Sequence, residues 1–437
     1  MKTRIYLSVM LTACLTFQAA AQNPVVAPAQ KKAIMLVGGT IHTGTGLVIE
    51  NGIIAFSGGK ITWVGKASES NLDRSGFDVL DVTGKQVYPG LIYPNTTLGL
   101  IEIENGLEVA DDTQETGDLN PDVRAIAAYN TDSQVIPVIR SNGILIAQIV
   151  PKGTLLPGSA SIVQLDAWNW KDAIYRADNG LMLNWPRKAL PSGRRMMFFP
   201  SGGETNNYDK NVEQLEKIFT DAKAYSEVEK PVDFNLRLEA LKGLFDGTRT
   251  LFVSAPEAKG IIESILFAKR YGVRKIVLVD ADEKAWNVKD FLRENQIPVL
   301  LGDPISLPEY DYSDTKEPFR LAAMFEKEGI MVGLCYSSQA YGNLPFAAGE
   351  TAAYGLTKEE ALQTVTLNTA KILGIDDLTG SLEQGKDANI VVSTGDLLDM
   401  RTSNVELAFI TGRQISLDNK HKQLFRRFEE KYENIKQ

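Results

Sequence analysis

From Gly143 onward the chain repeats one pattern: a short, almost wholly apolar run, then a stretch with apolar residues at helical spacing. The apolar runs are Gly143–Val150, Thr250–Val253, Lys275–Val279, Pro298–Leu301 and Ile330–Leu334. Between the later ones lie Pro256–Tyr271, Glu283–Asn295 and Glu317–Glu328. An earlier stretch, Asn211–Tyr225, sets Val212, Leu215, Ile218, Phe219, Ala222 and Tyr225 on one helical face. A strand that is apolar throughout must be covered on both sides, and alternation with helices covers the outer one. The pattern predicts an α/β fold, a (β/α)8 TIM-like barrel with any site assembled at the C-terminal strand ends.

Both ends of the chain have a different rhythm. Ile34–Val37, Leu47–Glu50, Gly52–Phe56 and Lys60–Val64 are short β-rich runs parted by Gly38-Gly39, Gly44-Thr45-Gly46 and Gly58-Gly59. No Gly-Lys-Ser/Thr ending and no helix follows these glycines, so they read as turns rather than a phosphate loop. Short β runs return at Asn389–Ser393 and Glu406–Ile410. Residues 33–88 and 376–416 are therefore expected to make one β-sandwich from both chain ends, with the barrel over 89–375. Thr357-Lys358-Glu359-Glu360 forms a capping box for a helix running to Leu373, with Gly374 as its C-cap. Residues 22–32 read as a mobile lead-in and 417–437 as a charged helical tail. An insertion over about 151–231 holds Trp168, Trp170, Trp185, Phe198 and Phe199. Those aromatics suit a lid, a partner surface or plain packing on the barrel.

The first 21 residues resemble a secretory signal peptide. Lys2 and Arg4 precede an apolar run from Ile5 to Phe17, and Ala19-Ala20-Ala21 supplies a small-residue cleavage site. The run is short of the ~20 residues that span a bilayer. Leu11-Thr12-Ala13-Cys14 also has the form of a lipoprotein box, which would lipidate Cys14. Export to the periplasm or beyond is the expectation, with an outer-membrane lipoprotein as the alternative.

Cleavage there removes two positive charges from a formal −9 and leaves −11. That balance disfavours nucleic acid and anionic membranes as partners. Cys335 would be the one remaining cysteine, which excludes an internal disulfide and a cysteine-built metal centre. There are two histidines, His42 and His421, and both read as surface residues. No further apolar stretch reaches membrane-spanning length.

The order of segments resembles the amidohydrolase superfamily, in particular its imidazolonepropionase-like branch. Gly52–Gly65 resembles the opening hairpin and Tyr88-Pro89-Gly90-Leu91-Ile92 the approach to the first barrel strand. Leu362–Ala370 resembles the late helix, Gly380–Val392 the closing hairpin, and Gly412-Arg413 its last turn. The resemblance implies hydrolysis of C–N bonds by a metal held on strand-end histidines. The chain departs from it at those positions. Tyr93-Pro94-Asn95-Thr96-Thr97 stands where the family has Asp-x-His-x-His, which places Asn95 and Thr97 at ligand positions. Ser254 and Asp280 fall where later strands deliver histidine, and Ser338 near the family's late aspartate. Neutral amide and hydroxyl oxygens hold Zn²⁺ far more weakly than imidazole does. Without the ion no bound water is acidified toward pH 7. No metal and no cofactor is therefore expected.

Asn95, Thr97, Ser254, Asp280 and Ser338 are read as a vestigial pocket, with Asp280 the candidate for any residual base chemistry. Asp280, Asp282, Glu283 and Asp303 could also form an acidic rim for a hard cation. The simpler reading makes Asp282-Glu283 a helix start and Asp303 a turn residue; it is preferred for all but Asp280. Ser254 and Ser338 have no base at a defined spacing and make no nucleophile. Three functions remain open. The first is a catalytically degenerate exported homologue, serving as structural or regulatory subunit in a heteromer with a metal-bearing paralogue. The second is a metal-independent hydrolase of amide, cyclic imide or peptide-like bonds. The third is a binding protein for a small polar ligand.

Overall fold

The computed structural model describes residues 25–102, 117–188, 207–229, 233–305, 314–336 and 341–435. Five strands open the chain: β1 (Ala33–His42), β2 (Val48–Ser57), β3 (Lys60–Lys66), β4 (Phe77–Asp81) and β5 (Gln86–Pro89). Gly58 and Gly59 turn β2 into β3 with φ of +57° and +82°, the two left-handed residues of a type I′ hairpin. Three strands close it: β14 (Ile390–Ser393), β15 (Val405–Ile410) and β16 (Arg413–Gln414). The two groups join where β14 pairs antiparallel with β5, setting Val391 opposite Tyr88 and Val392 opposite Val87. Alternation along β1 and β2 sends Leu36, Ile54 and Phe56 to one face and Met35, Ile53 and Ala55 to the other. Phe56 meets Phe409 edge-on at 5.0 Å, so the sheet from both ends is one cored unit, as expected.

The second sheet is the barrel. Among the described residues it has eight strands in spatial sequence order: β6 (Leu91–Thr96), β7 (Ile144–Ile149), β8 (Ser159–Gln164), β9 (Ile174–Asn184), β10 (Thr250–Ser254), β11 (Ile276–Ala281), β12 (Val299–Leu301) and β13 (Val332–Leu334). Ile92, Ile146, Ile162, Met182, Phe252, Val277, Val279 and Leu300 fill its interior. Helices Ala258–Arg270, Glu317–Lys327 and their neighbours bury the outer side. No helix of the described residues is long and apolar enough to cross a membrane.

Five features differ from expectation. β8 runs antiparallel to both β7 and β9, so the barrel is not wholly parallel. Its two connections, 150–158 and 165–173, hold no crossover helix of the length that parallel pairing needs. β8 and β9 both fall within the stretch expected to be an insertion, which thus supplies two barrel staves. The helix that begins at the Thr357 capping box splits into Lys358–Thr364 and Leu367–Leu373. There the Val365 carbonyl leaves the helix to accept from Ile92 N at 2.9 Å, bridging the gap between β13 and β6. The hydroxyls of Thr364 and Thr366 turn back onto the carbonyls of Ala361 and Leu362, both in the helix before the break.

Residues 25–32, expected to be mobile, are tied down. Ala27 N donates to Asp166 Oδ2 at 3.0 Å, and Gln30 bonds the Gly59 amide and the Phe56 carbonyl. His42, expected at the surface, is half-buried at the end of β1. Its Nδ1 lies 2.6 Å from Glu359 and its Nε2 2.9 Å from Gln86, while the ring stacks on Tyr88 at 4.4 Å. His421 is exposed. Of the insertion aromatics, Trp185 is buried against Phe267 and Trp168 is exposed. Phe198 and Phe199 lie outside the described residues, as do residues 1–24 with Cys14.

Candidate active site

The C-terminal ends of β6, β7, β11 and β13 converge on one small group of polar side chains. β6 and β11 each carry one extra residue relative to their neighbour: three steps from Tyr93 to Thr96 face two on β7, and three from Leu278 to Ala281 face two on β12. Such bulges re-aim side chains at barrel rims. Asn95 and Asp280 sit in them with φ of +51° and +54°, in the left-handed region that non-glycine residues rarely occupy. The two bulges aim their side chains at each other, and Asn95 Nδ2 donates to Asp280 Oδ1 at 2.8 Å.

Around that bond the surroundings are mixed. Gln148, from the interior face of β7, accepts from Asn95 N at 3.2 Å through Oε1. Gln148 Nε2 and Asn95 Oδ1 are both buried and have no protein partner. Cys335 places Sγ 3.9 Å from Asp280 and donates to the Leu301 carbonyl at 3.1 Å. Burial pushes the Cys335 thiol up, with the nearby Asp280 charge adding to it, so this cysteine is no nucleophile. The hydroxyl of Tyr93 donates to the Tyr336 carbonyl and closes the barrel on that side.

Asp280 opens onto a cavity of about 350 Å³ lined by Lys152, Asp282, Glu283, Leu301, Gly302, Asp303, Pro318 and Leu321 among others. Asp280 is itself exposed to solvent at this mouth, while the strand ends and loops packed around it thin the water on its other sides. This enclosure raises the Asp280 carboxyl above its ordinary range. Lys152 pulls it down, Asp303 pushes it up, and the Asn95 bond and Asp282 oppose each other more weakly. Asp282 also caps the helix Glu283–Trp286 by accepting from Lys284 N at 2.8 Å, so the helix-start reading holds. The same residue lines the cavity as well.

The other expected residues are less engaged. Thr97 is buried just beyond β6, where its carbonyl accepts from Leu100 N and Ile101 N and shapes a turn. Ser254 ends β10 opposite Val279, half-buried, with its carbonyl taken by Trp185 N at 2.8 Å. Neither lines the Asp280 cavity. Ser338 lies outside the described residues. Gln148 and Lys152 were missed by motif reading. Gln148 did carry a signal, as the single polar residue within Ile144–Val150.

The residues present do not fit the divalent metal of catalytic amidohydrolases. Among the described residues no three His, Cys, Asp or Glu side chains come together as ligands. At Asn95, where the resemblance led one to expect a ligand, the amide turns a hydrogen-bond donor, not a lone pair, toward the Asp280 carboxylate.

Residues 239–415 match the amidohydrolase family. No curated protein matches the chain by sequence. Among solved structures, an amidohydrolase from Thermotoga maritima superposes with a TM-score of 0.75 at 23% identity, covering 88% of this chain and 99% of that one. A prolidase complexed with N-methylphosphonate-L-proline gives 0.55 at 14% identity, over 88% and 99% of the two chains. A zinc-bound adenosine deaminase from Xanthomonas campestris gives 0.52 at 13%, over 94% and 100%. The family match over residues 239–415 thus falls on a chain whose barrel and two-ended β-sheet domain share the fold of these amidohydrolase and prolidase structures.

Proposed function

We propose that this is a catalytically degenerate, exported amidohydrolase homologue that acts as a structural or regulatory subunit beside a metal-bearing relative. The observation that carries the reading is the Asn95–Asp280 hydrogen bond. Two strand ends that hold ligands in metal-dependent members are here joined to each other by a neutral amide donor. The test is metal analysis of the purified chain from Gln22 onward, with turnover assays on N-acyl and cyclic amides with and without chelator. The expected result is no stoichiometric metal and no turnover. One equivalent of zinc, manganese or iron would overturn the reading, as would chelator-resistant hydrolysis lost in Asp280→Asn. Its partner role calls for a histidine-complete relative in the material co-purified from the native host. Export calls for a periplasmic product that begins near Gln22.

A second reading is favoured by the two orphaned amide atoms. Gln148 Nε2 offers a donor and Asn95 Oδ1 an acceptor, both buried on neighbouring side chains behind the Asp280 cavity, whose lining they do not join. A small polar ligand carrying both hydrogen-bonding types would satisfy them, and leaving such groups unmet costs about 1–3 kcal/mol each. Thermal shift against amide- and hydroxyl-bearing metabolites checks this, because a ligand of the folded state raises its melting temperature.

A further inference from the structure

The helix Lys420–Ile435 has a face that nothing in the described chain covers. Among the described residues its anchoring contacts lie at its start. Buried Asn419 caps it by accepting from Lys422 N at 2.9 Å and bonds Ser141 at 3.1 Å, and Arg426 reaches back to Asp418 at 2.7 Å. From Phe425 to Glu433 every side chain is exposed. Phe425, Phe428 and Tyr432 are 66%, 49% and 57% exposed and follow one another at i, i+3 and i+7. That is the seam spacing of a helix packed on another helix, and Ile435 continues it in the sequence. An isolated helical segment of this length is marginal in water unless its apolar face is buried.

The charges say what covers it. Lys420, Lys422, Arg426 and Arg427 occupy the first half, while Glu429, Glu430 and Glu433 occupy the second, with Lys431 among them. This order opposes the helix dipole, which favours acidic groups at the start and basic ones at the end. An antiparallel partner of the same sequence removes the conflict: it sets each basic half against an acidic half and aligns the two dipoles head to tail. A two-fold axis through such a pair closes the contact, so it makes a dimer and not a filament.

We propose that this helix docks antiparallel on the same helix of a second copy of the chain through Phe425, Phe428 and Tyr432. The inference is independent of what the barrel mouth does.

The experiment is light scattering coupled to size exclusion on the chain from Gln22 onward, over a range of protein and salt concentrations. The expected result is a concentration-dependent dimer that weakens as salt rises, since its charge contacts are attractive and exposed. Phe425→Asp with Phe428→Asp is expected to raise the dissociation constant at least about tenfold while leaving the melting curve of the dilute monomer unmoved. A basic variant (Glu429→Lys, Glu430→Lys, Glu433→Lys) and an acidic one (Lys420→Glu, Arg427→Glu) are each expected to be monomeric alone and to pair on mixing. A wild-type monomer at concentrations on the order of 100 μM would overturn the proposal. So would a dimer unaffected by the double Phe substitution, or one strengthened by salt, which marks a parallel pair. Adsorption to phosphatidylcholine vesicles with no dimer in solution would overturn it in favour of a membrane-surface role.

Discussion

Asn95 and Asp280 stand 185 residues apart and meet across the barrel mouth, each from a left-handed backbone, with the amide nitrogen donating to the carboxylate at 2.8 Å. Each conformation costs of order 1–3 kcal/mol and persists only where its surroundings over-determine it. Asparagine and aspartate tolerate that region better than other residues with a Cβ. The mouth thus holds two strained residues whose side chains are engaged with one another.

Asp280→Asn tests the energetic side of this arrangement. Enclosure raises the Asp280 carboxyl in the folded state, so the native protein holds that proton more tightly than the unfolded chain does. The stability from the protonated form is fully present below the unfolded value and is lost as pH rises through the folded one. At neutral pH the ionised group therefore works against the fold. Because Asp280 is exposed at the mouth and water screens its charge, the amide variant is expected to melt only slightly higher than wild type at pH 7, with the difference closing toward pH 3.5. Paired thermal melts across that range check it; equal melting temperatures at pH 7 would count against the account.

Asn95→Ala removes the donor while keeping a Cβ in a left-handed position. The Asp280 carboxylate loses its bond, and the residue at 95 loses the local tolerance that asparagine has there. A loss of about 2 kcal/mol is expected by denaturant titration. Asn95→Gly relieves the backbone but not the carboxylate, and should fall between the two.

How much of this was legible depended on how far apart the cooperating residues lie. Strand and helix spacing exposed the barrel because each element writes its period locally. The antiparallel β8 was not legible, since Ser159–Gln164 reads the same in either direction and only its short connections decide. The split at Val365 was hidden for a similar reason: its cause is Ile92 N, more than half the chain away. Asn95 and Asp280 were each singled out, yet nothing in either segment announces their mutual bond. His42 read as a surface residue because its partners come from two distant segments, Gln86 and Tyr88 from β5 and Glu359 from the helix after the capping box.

Cys335 should resist alkylation in the folded protein. Its thiol is buried, bonded to the Leu301 carbonyl, and pushed up by burial and the neighbouring Asp280 charge. Iodoacetamide at pH 8 is expected to label the chain from Gln22 onward only after denaturant unfolds it. Rapid labelling of the native protein, read by intact mass, would contradict the burial.

Asp166 ties three parts of the molecule together. Its carboxylate meets Arg140 at 2.5 Å, Arg413 of β16 at 3.0 Å and Ala27 N at 3.0 Å, and it is almost wholly buried. Removing it leaves the enclosed Arg140 without a counter-charge and frees the residues before β1. Asp166→Ala is expected to cost about 3–5 kcal/mol, well above a surface ion pair. Combining it with Arg140→Met restores part of the loss, because no buried cation is then stranded. A double variant no more stable than Asp166→Ala alone, by urea titration, would show that the stranded charge is not the cause.

His42 gives the fold a dependence on pH that runs opposite to acid denaturation. Both ring nitrogens face oxygen atoms, Nδ1 toward Glu359 and Nε2 toward Gln86, and only the protonated ring donates from both. Burial works to lower the imidazole, but the hydrogen bonds to Glu359 and Gln86 outweigh it and the folded value is raised. The sign follows from linkage: the folded state holds the proton more tightly, so this contribution is complete below about pH 6.5 and fades as pH rises through the folded value. Because His42 ends β1 and Glu359 belongs to the helix after the capping box, what fades is a tie between the two-ended sheet and the barrel. Wild type is therefore expected to exceed His42→Gln by about 1 kcal/mol at pH 6 and by much less at pH 9. Denaturant midpoints of both proteins across that interval measure it, and a gap that stays constant or widens with pH would refute the charged-imidazole bridge.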